Sequence, residues 1–139
     1  LALCLGVFTW TNWQFAREWA GSWTLQRKII AQAALQARDL PPSATVLLTG
    51  TPLYLGSAVV FDASWDFAYA LRAALGRKDL SGNVVSGRMR FEPEGAVEST
   101  GGQAIWTRPY SNLFLYDYGR DDLIRLDGPQ DAAAITNLP

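Results

Sequence analysis

The sequence predicts a mixed α+β domain carried on a long N-terminal helix that leaves a membrane. Three observations predict it. The chain opens on an uncharged apolar run that passes into a cluster of tryptophans and then into charge. Its centre, Thr45 to Gly76, reads as strand, Gly/Pro loop, short apolar run and capped helix. Its second half turns and alternates as strands do and ends in a hairpin pattern around Gly119. The expected organisation is the end of a transmembrane helix over 1–12, an interfacial amphipathic helix over 13–40 and one small α+β extracytoplasmic domain over 41–139.

The N-terminal run, Leu1 to Phe8, carries no charge but is too short to span a bilayer, which takes ~20 residues. It fits the last turns of a transmembrane helix. Four of the six tryptophans follow within a short window, at Trp10, Trp13, Trp19 and Trp23. Tryptophan collects at the membrane–water boundary because its ring is apolar while its N–H wants a partner. Phe8, Trp10, Trp13, Phe15 and Trp19 are therefore the candidate membrane-interface residues. A secretory signal peptide is the competing reading, and it lacks a basic leader and a clear cleavage signal. Core packing is a compatible reading: Phe15, Trp19 and Trp23 are four apart and form one helical stripe that could pack on the domain, so that the belt explains Trp10 and Trp13 and the stripe Trp19 and Trp23. From Arg17 to Arg38 the pattern stays helical, with Ile29, Ile30, Ala33, Ala34 and Ala37 as the apolar side, and Pro41-Pro42 closes it. Arg17, Arg27, Lys28 and Arg38 outnumber Glu18 and Asp39, a bias that favours the cytoplasmic side and conflicts with an extracytoplasmic placement.

Thr45 to Thr49 is a short apolar run between breakers, without alternation, as expected of an interior strand buried on both faces. Ser57 to Phe61 is a second such run. Asp62 or Ser64 can cap the helix that follows, Asp66 suits its positive end, and Gly76 with Arg72, Arg77 and Lys78 suits its negative end. Phe67, Ala70, Leu71, Ala74 and Leu75 mark its buried side. The loop Gly50, Thr51, Tyr54, Gly56 and Ser57 is a candidate ligand loop, since glycines let backbone N–H groups face an anion. It lacks the Lys-Ser/Thr of a P-loop, and Pro52 removes a donor, so a loop shaped by Gly and Pro is the bland alternative.

Asn83 to Phe91 alternates as one half-exposed strand, with Val85, Met89 and Phe91 on one side. Glu92 to Gly95 is a turn, Thr100 to Gln103 a loop, and Ala104 to Thr107 a short strand. Asn112–Tyr118 and Leu123–Asp127 flank a Gly-containing loop and form a hairpin. Asp131 to Ile135 makes one helical turn. Phe114, Tyr116 and Tyr118 share one strand face, either as core packing or as an aromatic platform for carbohydrate. Asp117, Asp121, Asp122 and Asp127 could attract a divalent cation, but the spacing is not that of a calcium loop and a solvated turn is favoured. Asp62 and Asp66 stand one helical turn apart as a carboxylate pair that the cap and first-turn roles already explain.

Composition removes much chemistry. There is no histidine, and Cys4 is the sole cysteine, so neither His-based catalysis nor a cysteine zinc site can be built. Cofactors are expected to be none. A net charge of −1, without basic clusters among stacking aromatics, argues against nucleic acid. The only methionine, Met89, is internal, and the expectation is a piece of a longer chain.

The aromatics from Trp13 to Trp23, followed by Val46-Leu47-Leu48, Pro52, Val60-Phe61 and Trp65-Asp66, resemble the C-terminal extracytoplasmic tail of bacterial polytopic inner-membrane proteins similar to glycosyltransferases of the GT-C, or protein-mannosyltransferase-like, type. The resemblance implies a parent that uses a polyprenyl-phosphate sugar donor. It places the parent's catalytic acids in early extracytoplasmic loops, so no catalytic residue carries over here. The implied partners are the lipid bilayer and the remainder of the polytopic chain. The alternative from another class is a stand-alone, membrane-anchored binding or interaction module for a small ligand, carbohydrate or protein.

Overall fold

The computed structural model describes residues 2–61 and 64–136. Leu1, the proposed cap Asp62 with its pairing to Asp66, and the end at 137–139 lie outside the described residues.

A single helix, α1 (Ala2–Gln36), opens the chain. At 1.5 Å per residue it is about 52 Å long. The expected transmembrane end and interfacial helix are thus one uninterrupted element. Its C-terminal half buries Ile29, Ala33 and Ala37 completely, with Leu25, Ile30 and Ala34 half-buried beside them. Alanines on that side let the helix axis come close to the domain.

The main sheet has four strands in the order β4-β1-β8-β9: β4 (Ser81–Val84), β1 (Thr45–Thr49), β8 (Leu113–Asp117) and β9 (Asp122–Arg125). The first three run parallel and β9 returns antiparallel to β8, closing the expected C-terminal hairpin. β1 is interior, flanked on both sides, which accounts for its unbroken apolar sequence. Val46 and Leu48 face the helices α1 and α2 (Ser64–Leu75), where Phe67, Leu71 and Tyr116 complete a core. Leu47 faces the opposite core, with Leu113, Leu115, Met89, Ala96 and Leu126.

That second core is covered by an antiparallel sheet, β5 (Met89–Glu92), β6 (Gly95–Thr100) and β7 (Gln103–Pro109), and by the short helix α3 (Pro129–Thr136). The architecture is therefore helices, mixed sheet, antiparallel sheet. The expectation of one strand from Asn83 to Phe91 is corrected: β4 ends at Val84, and the chain changes sheets before β5. A parallel strand hydrogen-bonded beside β1 and an antiparallel strand beside β6 cannot be one straight element. Ser57 to Phe61 is likewise corrected. Only Ala58–Val59 (β3) is strand, paired with β2 (Tyr54–Leu55) in a small hairpin apart from the main sheet.

Two polar ties hold the layers together. Glu98 is buried on β6 and accepts a 2.9 Å hydrogen bond from Asn83 Nδ2 on β4, joining the two sheets. Arg77 donates to the carbonyls of Leu40 and Pro41 and forms a 2.6 Å ion pair with Asp79, whose carboxylate also accepts from the Ser43 amide. The Arg77 hydrogen bond, helped by Ser43, holds the Asp79 carboxyl well below the usual carboxylate range. The clip fastens the end of α2 to the link between α1 and β1.

The two halves of α1 respond differently to substitution. Ile29→Ala leaves a cavity in a closed core and lowers unfolding free energy by about 2–5 kcal/mol in urea. Trp19→Ser, on the bare half, changes it by less than about 0.5 kcal/mol.

Candidate functional site

The N-terminal half of α1 is clothed in exposed apolar side chains. Leu3 is 81% exposed, Phe8 68%, Trp10 61%, and Leu5, Val7, Trp13, Phe15, Trp19 and Trp23 are all open to solvent. The first charged residue is Arg17, so the helix from Ala2 to Ala16 is uncharged, and its described side chains are exposed except Gln14, which is half-buried. The expectation that Phe15, Trp19 and Trp23 pack as a stripe on the domain is not met: all three are exposed. All five candidate interface residues, Phe8, Trp10, Trp13, Phe15 and Trp19, lie on this bare half. Among the described residues no helix is long and apolar enough to cross a membrane.

The aromatics are arranged with their polar neighbours at one end. The rings of Trp10 and Trp13 lie 5.4 Å apart, and the Arg17 guanidinium sits 4.7 Å from the Trp13 ring centre, a cation–π contact. Arg27 and Lys28 follow, both exposed. A belt of aromatics passing into cations is the order in which a chain meets hydrocarbon, boundary and headgroups.

The candidate ligand loop divides in two. Gly50 and Thr51 remain at the end of β1. There Gly50 has φ +74°, and a Cβ would lie 2.5 Å from Asp117 Oδ1. Tyr54, Gly56 and Ser57 belong instead to the β2–β3 hairpin, which lies along α1. Glu18 accepts hydrogen bonds from the Ser57 hydroxyl at 2.6 Å and from its amide at 2.8 Å. Further along, the Ser22 hydroxyl donates to the Val59 carbonyl and Gln26 Nε2 to the Val60 carbonyl. Gly56 turns with φ +64° directly against the Glu18 carboxylate, a place where any Cβ would collide. Trp10, Thr11, Gln14, Phe15, Glu18, Gly56 and Ser57 enclose a groove of 390 Å³. The structure thus brings two of the candidate interface residues, Trp10 and Phe15, beside Gly56 and Ser57 of the candidate loop. Neither the latch nor this adjacency is visible in sequence. Glu18 and Ser57 are 39 residues apart, with the rest of α1, β1 and β2 between them, and the only signal is an uncharged loop carrying Leu53, Tyr54 and Leu55.

Phe114, Tyr116 and Tyr118 share a face as expected, but that face is turned to the helices. Tyr116 is fully buried and donates to Asp121 Oδ1 at 2.7 Å; burial, then that hydrogen bond, pushes its hydroxyl pKa far up. An open aromatic platform is not present. Asp117 is corrected from a solvated turn residue to a buried one: Oδ1 accepts from the Gly119 amide at 2.9 Å and Oδ2 faces Arg120 Nε at 3.5 Å. Asp121, Asp122 and Asp127 are exposed, and among the described residues no three such side chains converge as metal ligands.

No protein-family model, curated protein sequence or solved structure matches this chain.

The latch titrates. Hydrogen bonds from the Ser57 hydroxyl and then its amide lower the Glu18 pKa, and desolvation opposes them. A carboxyl whose folded pKa is depressed stabilises the latch above its unfolded pKa and loses that stabilisation as pH falls through the folded one. In a pH titration followed by NMR, the Ser57 amide resonance moves with a midpoint below that of an ordinary glutamate. Glu18→Gln abolishes that midpoint.

Proposed function

We propose that this chain is a non-catalytic domain held at a membrane surface by α1, on the extracytoplasmic side of a bacterial inner membrane. The single observation that carries the reading is the bare half of α1. A helix without tertiary cover is marginal in water, and a contiguous group of large exposed apolar side chains marks a surface that another phase or protein covers. Here the uncovered half ends in tryptophans and then cations, which suits a bilayer boundary. The resemblance of the Trp13–Trp23 and Val46–Asp66 segments supports a multi-spanning parent of the polyprenyl-phosphate-sugar glycosyltransferase type, with this domain as its C-terminal part. A non-catalytic role fits a chain without histidine, whose buried carboxylates Glu98 and Asp117 are engaged in structural contacts.

A second reading, a stand-alone membrane-anchored binding module, is favoured by one feature. Between α1 and α2 runs a groove of 590 Å³ flanked by the exposed rings of Trp23 and Tyr69, with Phe61 in its floor. The two readings part upstream of Leu1 in the open reading frame, where the first requires several apolar spans of ~20 residues and the second one or none.

Flotation with phosphatidylethanolamine–phosphatidylglycerol vesicles tests the shared claim. The chain floats with lipid, and the combined Trp10→Ser, Trp13→Ser and Trp19→Ser variant partitions at least ~10-fold less. Each large apolar side chain seated out of water contributes about 1.5–3 kcal/mol. A chain that stays with the aqueous fraction, or a variant that floats equally well, removes the membrane reading.

A further inference from the structure

We infer that the β2–β3 hairpin is a second membrane-contact element, which seats beside α1 in the headgroup layer and fixes the tilt of the domain against the bilayer. The inference rests on the proposed membrane reading of α1 and adds a second point of contact to it.

The direction of the hairpin carries the argument. Glu18, Ser22 and Gln26 are each one turn further along α1, and they hold Ser57, Val59 and Val60 in that order. The β3 arm therefore runs away from the helix N-terminus, and the Gly56–Ser57 turn is the end aimed toward the aromatic belt. That turn meets α1 at Glu18, beside Arg17 and Trp19 and about 7.5 Å along the axis from Trp13. This is the level at which the belt gives way to charge.

The hairpin carries apolar surface from that level onward along one side of α1. Leu55 lies just past the turn, Tyr54 pairs with Val59 at Ser22, and the Leu53 carbonyl accepts from the Val60 amide at Gln26, so a tilt of α1 toward this side brings all three to the bilayer. From Leu40 to Phe61 the chain has no charged residue. Leu53, Tyr54 and Leu55 are exposed, by 53%, 59% and 38%. A two-stranded hairpin is marginal by itself, and three exposed apolar side chains on one are costly in water. The tyrosine has an apolar ring and a polar tip, as suits the boundary. At that level α1 presents Arg17, which complements anionic headgroups, and Arg27 and Lys28 follow about 15 Å further along the axis. The turn of the hairpin and the aromatic part of the helix meet across one groove, lined by Gly56 and Ser57 on one side and by Trp10 and Phe15 on the other. One occupant, a bilayer with anionic lipid, covers both surfaces and pairs with the cations.

Two contacts, one a helix and the other a latched hairpin beside it, define an orientation as well as an attachment. A lone helix leaves the domain free to rotate about its axis.

The test uses the full chain with Cys4→Ser and single cysteines at Leu53, Tyr54, Phe8 or Thr100, each labelled with an environment-sensitive fluorophore. The chains are mixed with phosphatidylethanolamine–phosphatidylglycerol vesicles, with and without nitroxide-bearing lipid. Labels at Leu53, Tyr54 and Phe8 are expected to shift to the blue and lose intensity to the nitroxide, while the label at Thr100, in the far β6–β7 turn, stays aqueous. A lipid-contacting Phe8 label with aqueous labels at both Leu53 and Tyr54 overturns the hairpin inference and leaves the helix reading standing. Aqueous labels at all positions overturn both. A blue shift at Leu53 and Tyr54 without nitroxide quenching shows a protein surface covering the hairpin, a second copy or another part of the chain, and overturns the inference.

Discussion

Everything in this molecule depends on the seam between the C-terminal half of α1 and the domain. Ile29, Ala33 and Ala37 seal one face of a core whose other walls are α2 and the inner strands. The seam does two things. It completes the burial of β1, whose side chains need cover on both faces. It also holds a helix of 35 residues rigidly at one end, so the other end projects with its direction set by the fold. The projecting half has no comparable seam. The Glu18, Ser22 and Gln26 contacts with the hairpin are polar and local, and upstream of them the described side chains are exposed apart from the half-buried Gln14. The packing of α1 is thus concentrated in its second half, while the aromatics of its first half are exposed.

The sheet explains why the seam can be so lean. β1 is paired on both sides in parallel, and parallel pairing demands cover on each face. The helices cover one face, and the antiparallel sheet with α3 covers the other. The buried Asn83–Glu98 hydrogen bond fixes how the second sheet sits on the first. The Arg77–Asp79 clip fixes how the helical layer meets the chain that leaves α1. Removing Asn83 costs more than its hydrogen bond contributes, because it strands the buried Glu98 carboxylate, whereas the Arg77–Asp79 pair is partly exposed.

Much of this was legible from residue pattern. The unbroken Thr45–Thr49 run, the Phe67/Leu71 spacing and the Asn112–Asp127 hairpin all follow from local rules, and each is where those rules place it. The apolar side of α1 from Ile29 to Ala37 was legible as well. What escaped depends on contacts distant in sequence. Asn83 to Phe91 alternates smoothly, so nothing local reveals that it leaves one sheet for another. β6 contains Gly95, Glu98, Ser99 and Thr100, an unpromising strand sequence that pairing on both sides overrides. Tyr116 was legible as core packing from its strand face, whereas Asp117 looks like a solvated turn residue and is buried only once the turn at Gly119 and the Arg120 side chain close over it. The hairpin latch required knowing that Ser57 returns to Glu18.

The central claim is that the first half of α1 is completed by a bilayer. Amide hydrogen exchange along α1, with and without phosphatidylethanolamine–phosphatidylglycerol vesicles, tests it most directly. In water, amides before Arg17 exchange quickly and those around Ile29 to Ala37 slowly, because only the latter belong to a packed core. With vesicles, the account predicts strong protection before Arg17 and no change around Ala33. Unchanged, rapid exchange before Arg17 in the presence of lipid would contradict it.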